Sequence, residues 1–305
     1  MPGHIIVVGS LNMDLVVRAP RHPQVGETIL GNDFRMIPGG KGANQAVAAA
    51  RLGAQVKMVG RVGADAFGEV LVERLRQDRV DTRFIKKDSE KPSGVALIVV
   101  SEAGDNSIVV ASGANGQLSM ADVTEAEEVF EGASVLLLQL ESPLPAVKRA
   151  IELARLHNVQ VVLNPAPAQE VDTRFLTSVD YLIPNEAELA RLAGVNDTPA
   201  AIGCLRDLGI GHLIVTLGGE GAFIVEGHRV AYLPAFQVDV VDTTAAGDAF
   251  IGAFGVALSE GLSTRQAATW GNVAGALAAT RIGAQPSLPA RMEFENFLTT
   301  VKASK

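Results

Sequence analysis

The sequence predicts an α/β fold: a mostly parallel sheet between layers of helices, with a small β-sheet attached. Three observations predict it. Short apolar runs alternate with helix-patterned segments along most of the 305 residues, which is the rhythm of βαβ units. The apolar fraction is 48% and the aromatic fraction only 5%, so Val, Leu, Ile and Ala must build the interior, as in parallel strands covered by helices. Two segments, 12–38 and 93–111, carry strand-like runs with no helix between them. The length suits one large core with a smaller attachment better than two equal domains.

The elements follow in order. HIIVVG (4–9) is the first strand, GANQAVAAARLG (42–53) a helix, QVKMVG (55–60) a strand and FGEVLVERLRQD (67–78) a helix. The alternation resumes with strand SVLLLQ (134–139), helix LPAVKRAIELARLHN (144–158), and strands VQVVLN (159–164), VDYLIPN (179–185) and HLIVTL (212–217). Right-handed crossovers then give a parallel sheet. From Ala245 to about Leu298 three helices are expected, broken at Gly261 and at GAQPSLP (283–289), closing over one end of the sheet.

In the two exceptional segments the strands are MDLVVRAP, GETILGNDFRMI, SGVALIVV and NSIVVA, with SEAGDN as a hairpin turn. They are expected to form one small sheet from 12–39 and 93–111, joined to a core of 1–11, 40–92 and 112–305. A lid, an extension of the main sheet and an oligomer contact all fit this pattern.

The net charge of −8 argues against general affinity for nucleic acid or anionic membrane. The start MPGHIIVVGS has no basic region before its apolar run, and no apolar stretch approaches the ~18 residues of a membrane span. The sole cysteine, Cys204, is expected to be a small buried hydrophobe, and a soluble, cytoplasmic protein is expected. His4, His22, His157, His212 and His228 show no zinc-ligand spacing, and no G-x-S-x-G elbow is present.

Three glycine-rich places could meet phosphate: PGGKGAN (38–44), TLGGEG (216–221) and TTAAGD (243–248). None is a P-loop, because Arg35 stands where glycine is needed and Gly42 where Ser or Thr is needed. GSLNMD after the first strand is not G-x-G-x-x-G either. A helix over 245–259 would start with bare N–H groups, since Ala245, Ala246 and Gly247 offer only methyls or hydrogen. A phosphoryl group could approach them closely. Asp248 in the first turn is expected to stay ionised with a low pKa, and to orient a nucleophile.

GGKGANQAVAAARLG and VDTTAAGDAF resemble the two signatures of the ribokinase/PfkB carbohydrate kinase family. GSLNMD, QLESP, NPAPA, PNEAE, TLGGEG and TRIGAQPS match further family segments in the family's order. The resemblance implies a ribokinase-like three-layer α/β/α core with a β-sheet lid, and ATP-dependent phosphorylation of the 5-hydroxyl of D-ribose. It implies Asp248 as catalytic base, with the backbone of Ala245, Ala246 and Gly247 as an anion hole. For the sugar it implies Asn12, Met13, Asp14, Gly40, Lys41, Gly42, Ala43, Asn44 and Glu141; a pentose needs such fixed carboxylates and amides, since its hydroxyls both donate and accept.

For the nucleotide the resemblance implies Asn185, Thr216, Leu217, Gly218, Gly219, Glu220, Gly221, Gly247 and Asn272. Glu188 would organise Mg²⁺ through water. A monovalent cation, potassium, would sit near Asp242, Thr244, Ala278, Arg281, Gly283 and Ser287. A homodimer through the lid sheet is also implied. Two rivals remain: a sister kinase for deoxyribose or a nucleoside, and a non-catalytic sugar sensor.

Overall fold

The computed structural model describes residues 3–303. Its first third contains β1 (His4–Val8), β2 (Asn12–Ala19), β3 (Asp33–Gly39), α1 (Lys41–Arg51), β4 (Val56–Gly63), α2 (Ala66–Gln77), β5 (Asp81–Asp88), β6 (Gly94–Ser101) and β7 (Asn106–Ala111). Then come α3 (Met120–Glu125), β8 (Ala133–Leu138), α4 (Leu144–Leu156), β9 (Gln160–Leu163), β10 (Tyr181–Leu182), α5 (Glu186–Ala193), α6 (Thr198–Asp207) and β11 (His212–Thr216). The chain ends with β12 (Gly221–Glu226), β13 (Arg229–Pro234), α7 (Ala246–Ser259), α8 (Thr264–Ala279), α9 (Ala284–Ser287) and α10 (Arg291–Ala303).

Nine strands form the main sheet in the order β13-β12-β11-β10-β9-β8-β1-β4-β5. All neighbours from β11 to β5 are parallel, while β12 and β13 add antiparallel at one edge. The apolar strand runs are continuous because both faces are covered. Along β1, Ile5 and Val7 enter the layer holding α1, α2, α7 and α8, whereas Ile6 and Val8 enter the layer holding α3 to α6.

Side-chain size sets how closely α1 and α7 approach. A Cβ added at Gly252 would lie 2.5 Å from Ala48 Cβ and 3.0 Å from Gln45 O, so α7 rests almost backbone to backbone on α1. That approach brings the first turns of the two helices together.

The small sheet has the order β3-β2-β6-β7. β2 pairs antiparallel with β3 and parallel with β6, so the two insertions are joined into one body. Alternation along its strands gives two faces. Asp14, Val16, Arg18, Ile37, Ile98 and Ile108 line a cavity of about 360 Å³ against Val240–Thr244 and Ile282–Ala284 of the core. Phe34, Met36, Leu97 and Val109 lie on the opposite face and are exposed.

Several sequence expectations need correction. β5, β12 and β13 were not anticipated: DTRFIKKD mixes charges into its apolar pattern, and β12 to β13 is a hairpin rather than a βα unit. Residues 26–32 are not a strand, and β3 starts only at Asp33. The C-terminal helices do more than close one end of the sheet: α7 and α8 pack in the layer with α1 and α2, while Gly247 and Asp248 at the start of α7 line a cavity at the strand ends. GAQPSLP is not merely a break, since Ala284–Ser287 makes one helical turn. Cys204 is exposed, because Ala201, Ile202 and Leu205 take the inner stripe of α6 and leave position 204 outside. Among the described residues, no helix is long and apolar enough to cross a membrane.

Candidate active site

Polar residues gather where apolar strands end. β1 is followed by Ser10 and Asn12, β8 by Gln139 and Glu141, β9 by Asn164, and β10 by Asn185, while β11 ends at Thr216. The register aligns Val8 with Leu138 and Leu138 with Leu163, so these residues line one edge of the parallel sheet. Ligands of open α/β sheets bind at that carboxyl edge.

The start of α1 is saturated by protein. Lys41 N–H donates to Glu141 Oε2 at 3.1 Å, Ala43 N–H to Ser10 O at 2.9 Å and Asn44 N–H to Gly40 O at 2.8 Å. Gly42 N–H faces Ser10 Oγ at 3.4 Å, and that hydroxyl donates to Glu141 Oε2 at 2.5 Å. The glycines here serve close packing rather than phosphate: Gly40 has φ 89°, and a Cβ on it would lie 2.6 Å from Asn12 N. The expectation that PGGKGAN could meet phosphate through its backbone is thereby corrected. Lys41 presents its side chain to the site instead.

The start of α7 is different. Ala245, with φ 59° and ψ 8°, is a left-handed alanine ahead of the helix. Such a conformation costs an alanine roughly 1–2 kcal/mol. The helix therefore begins at Ala246, one residue later than expected, and Ala246 N–H is not bare but donates to Thr243 O at 3.1 Å. Among the described residues the N–H groups of Gly247 and Asp248 meet no acceptor. Of the glycine-rich sites at helix starts, this one leaves amides open to an anion.

Asp248 is buried and held from α1: Asn44 Nδ2 donates to Oδ2 at 2.9 Å and Gln45 Nε2 to Oδ1 at 3.0 Å. Burial raises its pKa, against Lys41 and the two amides, so the expected low value is corrected. Burial, then the charges of Glu141 and Asp248, push the Asp14 carboxyl up to about 7. Burial works against the Lys41 charge, but Asp248, Glu141, Glu188 and Asp14 outweigh it and hold the ammonium above its usual value. Burial also raises Glu188, opposed first by the Asn185 N–H.

A cavity of about 220 Å³ collects Lys41, Asn185, Glu188, Thr216, Ala245, Gly247 and Asp248. Asp14 lines the neighbouring cavity under the small sheet, together with Asp242, Thr244 and Gly283. Asn12 and Met13 open β2, beside Gly40 and Gly39. Other positions lie outside the linings of both cavities. Leu217 through Gly221 form a tight turn with Leu217 N–H on Gly221 O at 2.8 Å, and Asn272 donates to Pro234 O at 3.2 Å. Arg281 pairs with Glu293, Ala278 is buried in α8, and Ser287 Oγ donates to Ala284 O at 2.8 Å.

Sequence reasoning missed four supports. Asn115 Nδ2 donates to Asn12 Oδ1 at 2.8 Å and to Leu11 O at 2.9 Å, fixing the start of β2. Gln45, Gln139 and Asn164 link Asp248 toward Glu188. The signal for Gln139 and Asn164 was present: an amide directly after a fully apolar strand. For Gln45 and Asn115, local sequence gave no comparable mark.

Among the described residues, no cluster of three or more His, Cys, Asp or Glu side chains could chelate a metal. Magnesium held by one carboxylate, waters and substrate phosphates does not need such a cluster. Glu188 fits that role, since its Oε2 accepts Asn185 N–H at 2.9 Å and the group faces the smaller cavity. For a monovalent ion, Asp242 offers one fixed charge. Burial would raise it, but the N–H groups of Gly283 and Thr244 hold it below the usual carboxylate range.

The pfkB family carbohydrate kinase pattern matches residues 3–291. A ribokinase of Haemophilus influenzae is 41% identical over 299 residues, covering 96% of this chain and 98% of that protein. A deoxyribokinase of Salmonella typhi is 37% identical over 301 residues, covering 97% and 98%. The structure of Arabidopsis thaliana ribokinase complexed with ribose and ATP superimposes with a TM-score of 0.90 at 33% identity, covering 98% of this chain and 99% of that one.

Proposed function

The chain belongs to the pfkB family of carbohydrate kinases, and on that premise we propose that it transfers the γ-phosphoryl group of ATP to O5 of D-ribose, giving D-ribose 5-phosphate. One observation carries the mechanism: the open amides of Gly247 and Asp248 adjoin a buried carboxylate in the same helical turn.

In this reading Asp248 accepts the proton of the attacking hydroxyl. Its raised pKa makes it a better base than an exposed aspartate, and the loose transition state asks mainly for orientation. The first turn of α7 receives the charge that develops on the phosphoryl oxygens, with the Lys41 ammonium beside it. Asn12, Asp14, Asn44 and Glu141 hold the sugar hydroxyls; the buried Oδ1 of Asn44 has no partner among the described residues, which leaves it free to accept one. Asn185, Thr216 and the 217–221 turn flank the nucleotide.

Mg²⁺ would be held through water by Glu188 and would offset the charge of the ATP phosphates. A potassium ion would lie by Asp242, Thr244 and Gly283, with the carbonyls of Ala278 and Arg281 and with Ser287 nearby. The small sheet over 12–39 and 93–111 would act as a lid that excludes water from ATP. Its exposed Phe34, Met36, Leu97 and Val109 support a homodimer through the outer face.

Purified protein assayed with ATP against ribose, 2-deoxyribose, fructose and adenosine tests the proposal. The highest kcat/KM is expected for ribose. A preference for 2-deoxyribose would favour the second reading, which the Salmonella typhi relative keeps in view.

A further inference from the structure

We infer that Gln45 is a positioning residue for Asp248, and that Gln139 sets the direction in which Gln45 acts. The inference rests on the assignment of Asp248 as base. Gln45 is fully buried, in a helix whose neighbouring inner positions are Ala46, Val47, Ala48 and Ala49. A polar amide placed there is costly unless its groups are paired. They are paired on both sides: Nε2 donates to Asp248 Oδ1 at 3.0 Å and faces Asn164 Oδ1 at 3.5 Å, while Oε1 accepts Gln139 Nε2 at 2.6 Å.

These partners fix the amide's orientation. Turned over, it would set Oε1 against a carboxylate oxygen and Nε2 against the Gln139 donor. Gln139 fits its place because Gly9 has no side chain; a Cβ there would lie 2.1 Å from Gln139 Oε1. With Asn44 on Oδ2 and Gln45 on Oδ1, the Asp248 carboxylate is anchored at both oxygens and cannot rotate. Gln45 lies behind the carboxylate, without exposed surface for the sugar, so its effect belongs in turnover rather than in sugar affinity.

The groups that face Asp248 electrostatically are Lys41, Glu141, Asp14 and Glu188. Gln45 favours the ionised form, so its loss moves the acid limb of kcat to higher pH.

The test is steady-state kinetics of the full chain with ribose and ATP across pH. Gln45→Met keeps the length and removes the donor. It is expected to lower kcat by about tenfold to a hundredfold, the worth of a hydrogen bond to a charged group, with KM for ribose changed by less than about threefold. The acid limb should shift upward. Gln139→Leu should show the same changes, smaller in size. An unmoved limb with unchanged kcat, or a raised KM with kcat intact, overturns the inference. Should Gln45→Met fail to fold, Gln139→Leu decides, because it reaches Asp248 only through Gln45: a shifted limb supports the inference and an unmoved one overturns it. Full turnover in Asp248→Asn would instead remove the assignment of the base itself. An inactive Asp248→Asn beside a normal Gln45→Met removes the present inference alone.

Discussion

Asn44 donates to Asp248 Oδ2 across 2.9 Å, although 204 positions separate the two residues in the chain. The first turns of α1 and α7 thus form one polar junction, and changing its charge should change the base. Asn44→Asp would set two carboxylates within hydrogen-bond distance, where one must hold a proton. The acid limb of kcat is expected to rise by more than about one pH unit, with KM for ribose also raised. A pH profile with an unmoved limb would argue against Asp248 as base.

The junction depends on Gly252. Gly252→Ala places a methyl 2.5 Å from Ala48 Cβ, so α1 and α7 must move apart. A stability loss of about 1–3 kcal/mol is expected from overpacking. Because α1 carries Asn44 and Gln45, kcat measured well below the melting temperature should fall as well. A variant with wild-type Tm would show that the helices tolerate wider spacing.

Asp14 makes stability depend on pH in the less common sense. Its carboxyl titrates near 3.8 when unfolded and about 7 when folded, so between these values the folded state binds the extra proton. Stability is therefore lost as pH rises through this window, by on the order of 4 kcal/mol at most. Asp14→Asn should raise Tm of the ligand-free protein by several degrees at pH about 8 and by little near pH 4, while weakening ribose binding at least about tenfold. Thermal melts at both pH values, with ribose titrations, measure this; an equal Tm change at each pH would contradict it.

The outer face of the small sheet gives a prediction about assembly. Val109 is exposed on the side away from the cavity, alongside Leu97. Val109→Arg is expected to convert a dimer to a monomer in analytical ultracentrifugation without touching a site residue. A wild-type protein that is monomeric at high concentration would end the dimer proposal.

Much of this architecture was legible in sequence because burial on both faces leaves a plain mark: IIVV and VLLL, short and alternating with helix-patterned segments, read as central strands. The edge strands carried no such mark. β5 and β13 have a side or an edge in water and admit charges, so their pattern resembles loop. The candidate site was legible where family motifs lie at strand ends or helix starts: the structure brings Lys41 and Asp248 to one cavity, with Glu141 bonded to the Lys41 N–H and Asp14 lining the neighbouring cavity. Which amides stay open was not legible. Ala246 N–H is consumed by a turn that depends on the left-handed Ala245, and no residue type announces that conformation for alanine. Asn115 was equally hidden, since its importance comes only from the meeting of Leu11 and Asn12 with the residues after β7.

That meeting has a consequence for motion. Asn12 and Asp14 both lie in β2, paired on one side with β3 and on the other with β6, but Asn12 alone of the two is also tied to Asn115 in the core. Any displacement of the small sheet against the core must therefore be taken up at the Asn12–Asn115 hydrogen bond, with Asp14 moving together with β3 and β6. One buried amide, that of Asn115, thus couples the position of the whole four-stranded sheet to the residues that follow β1.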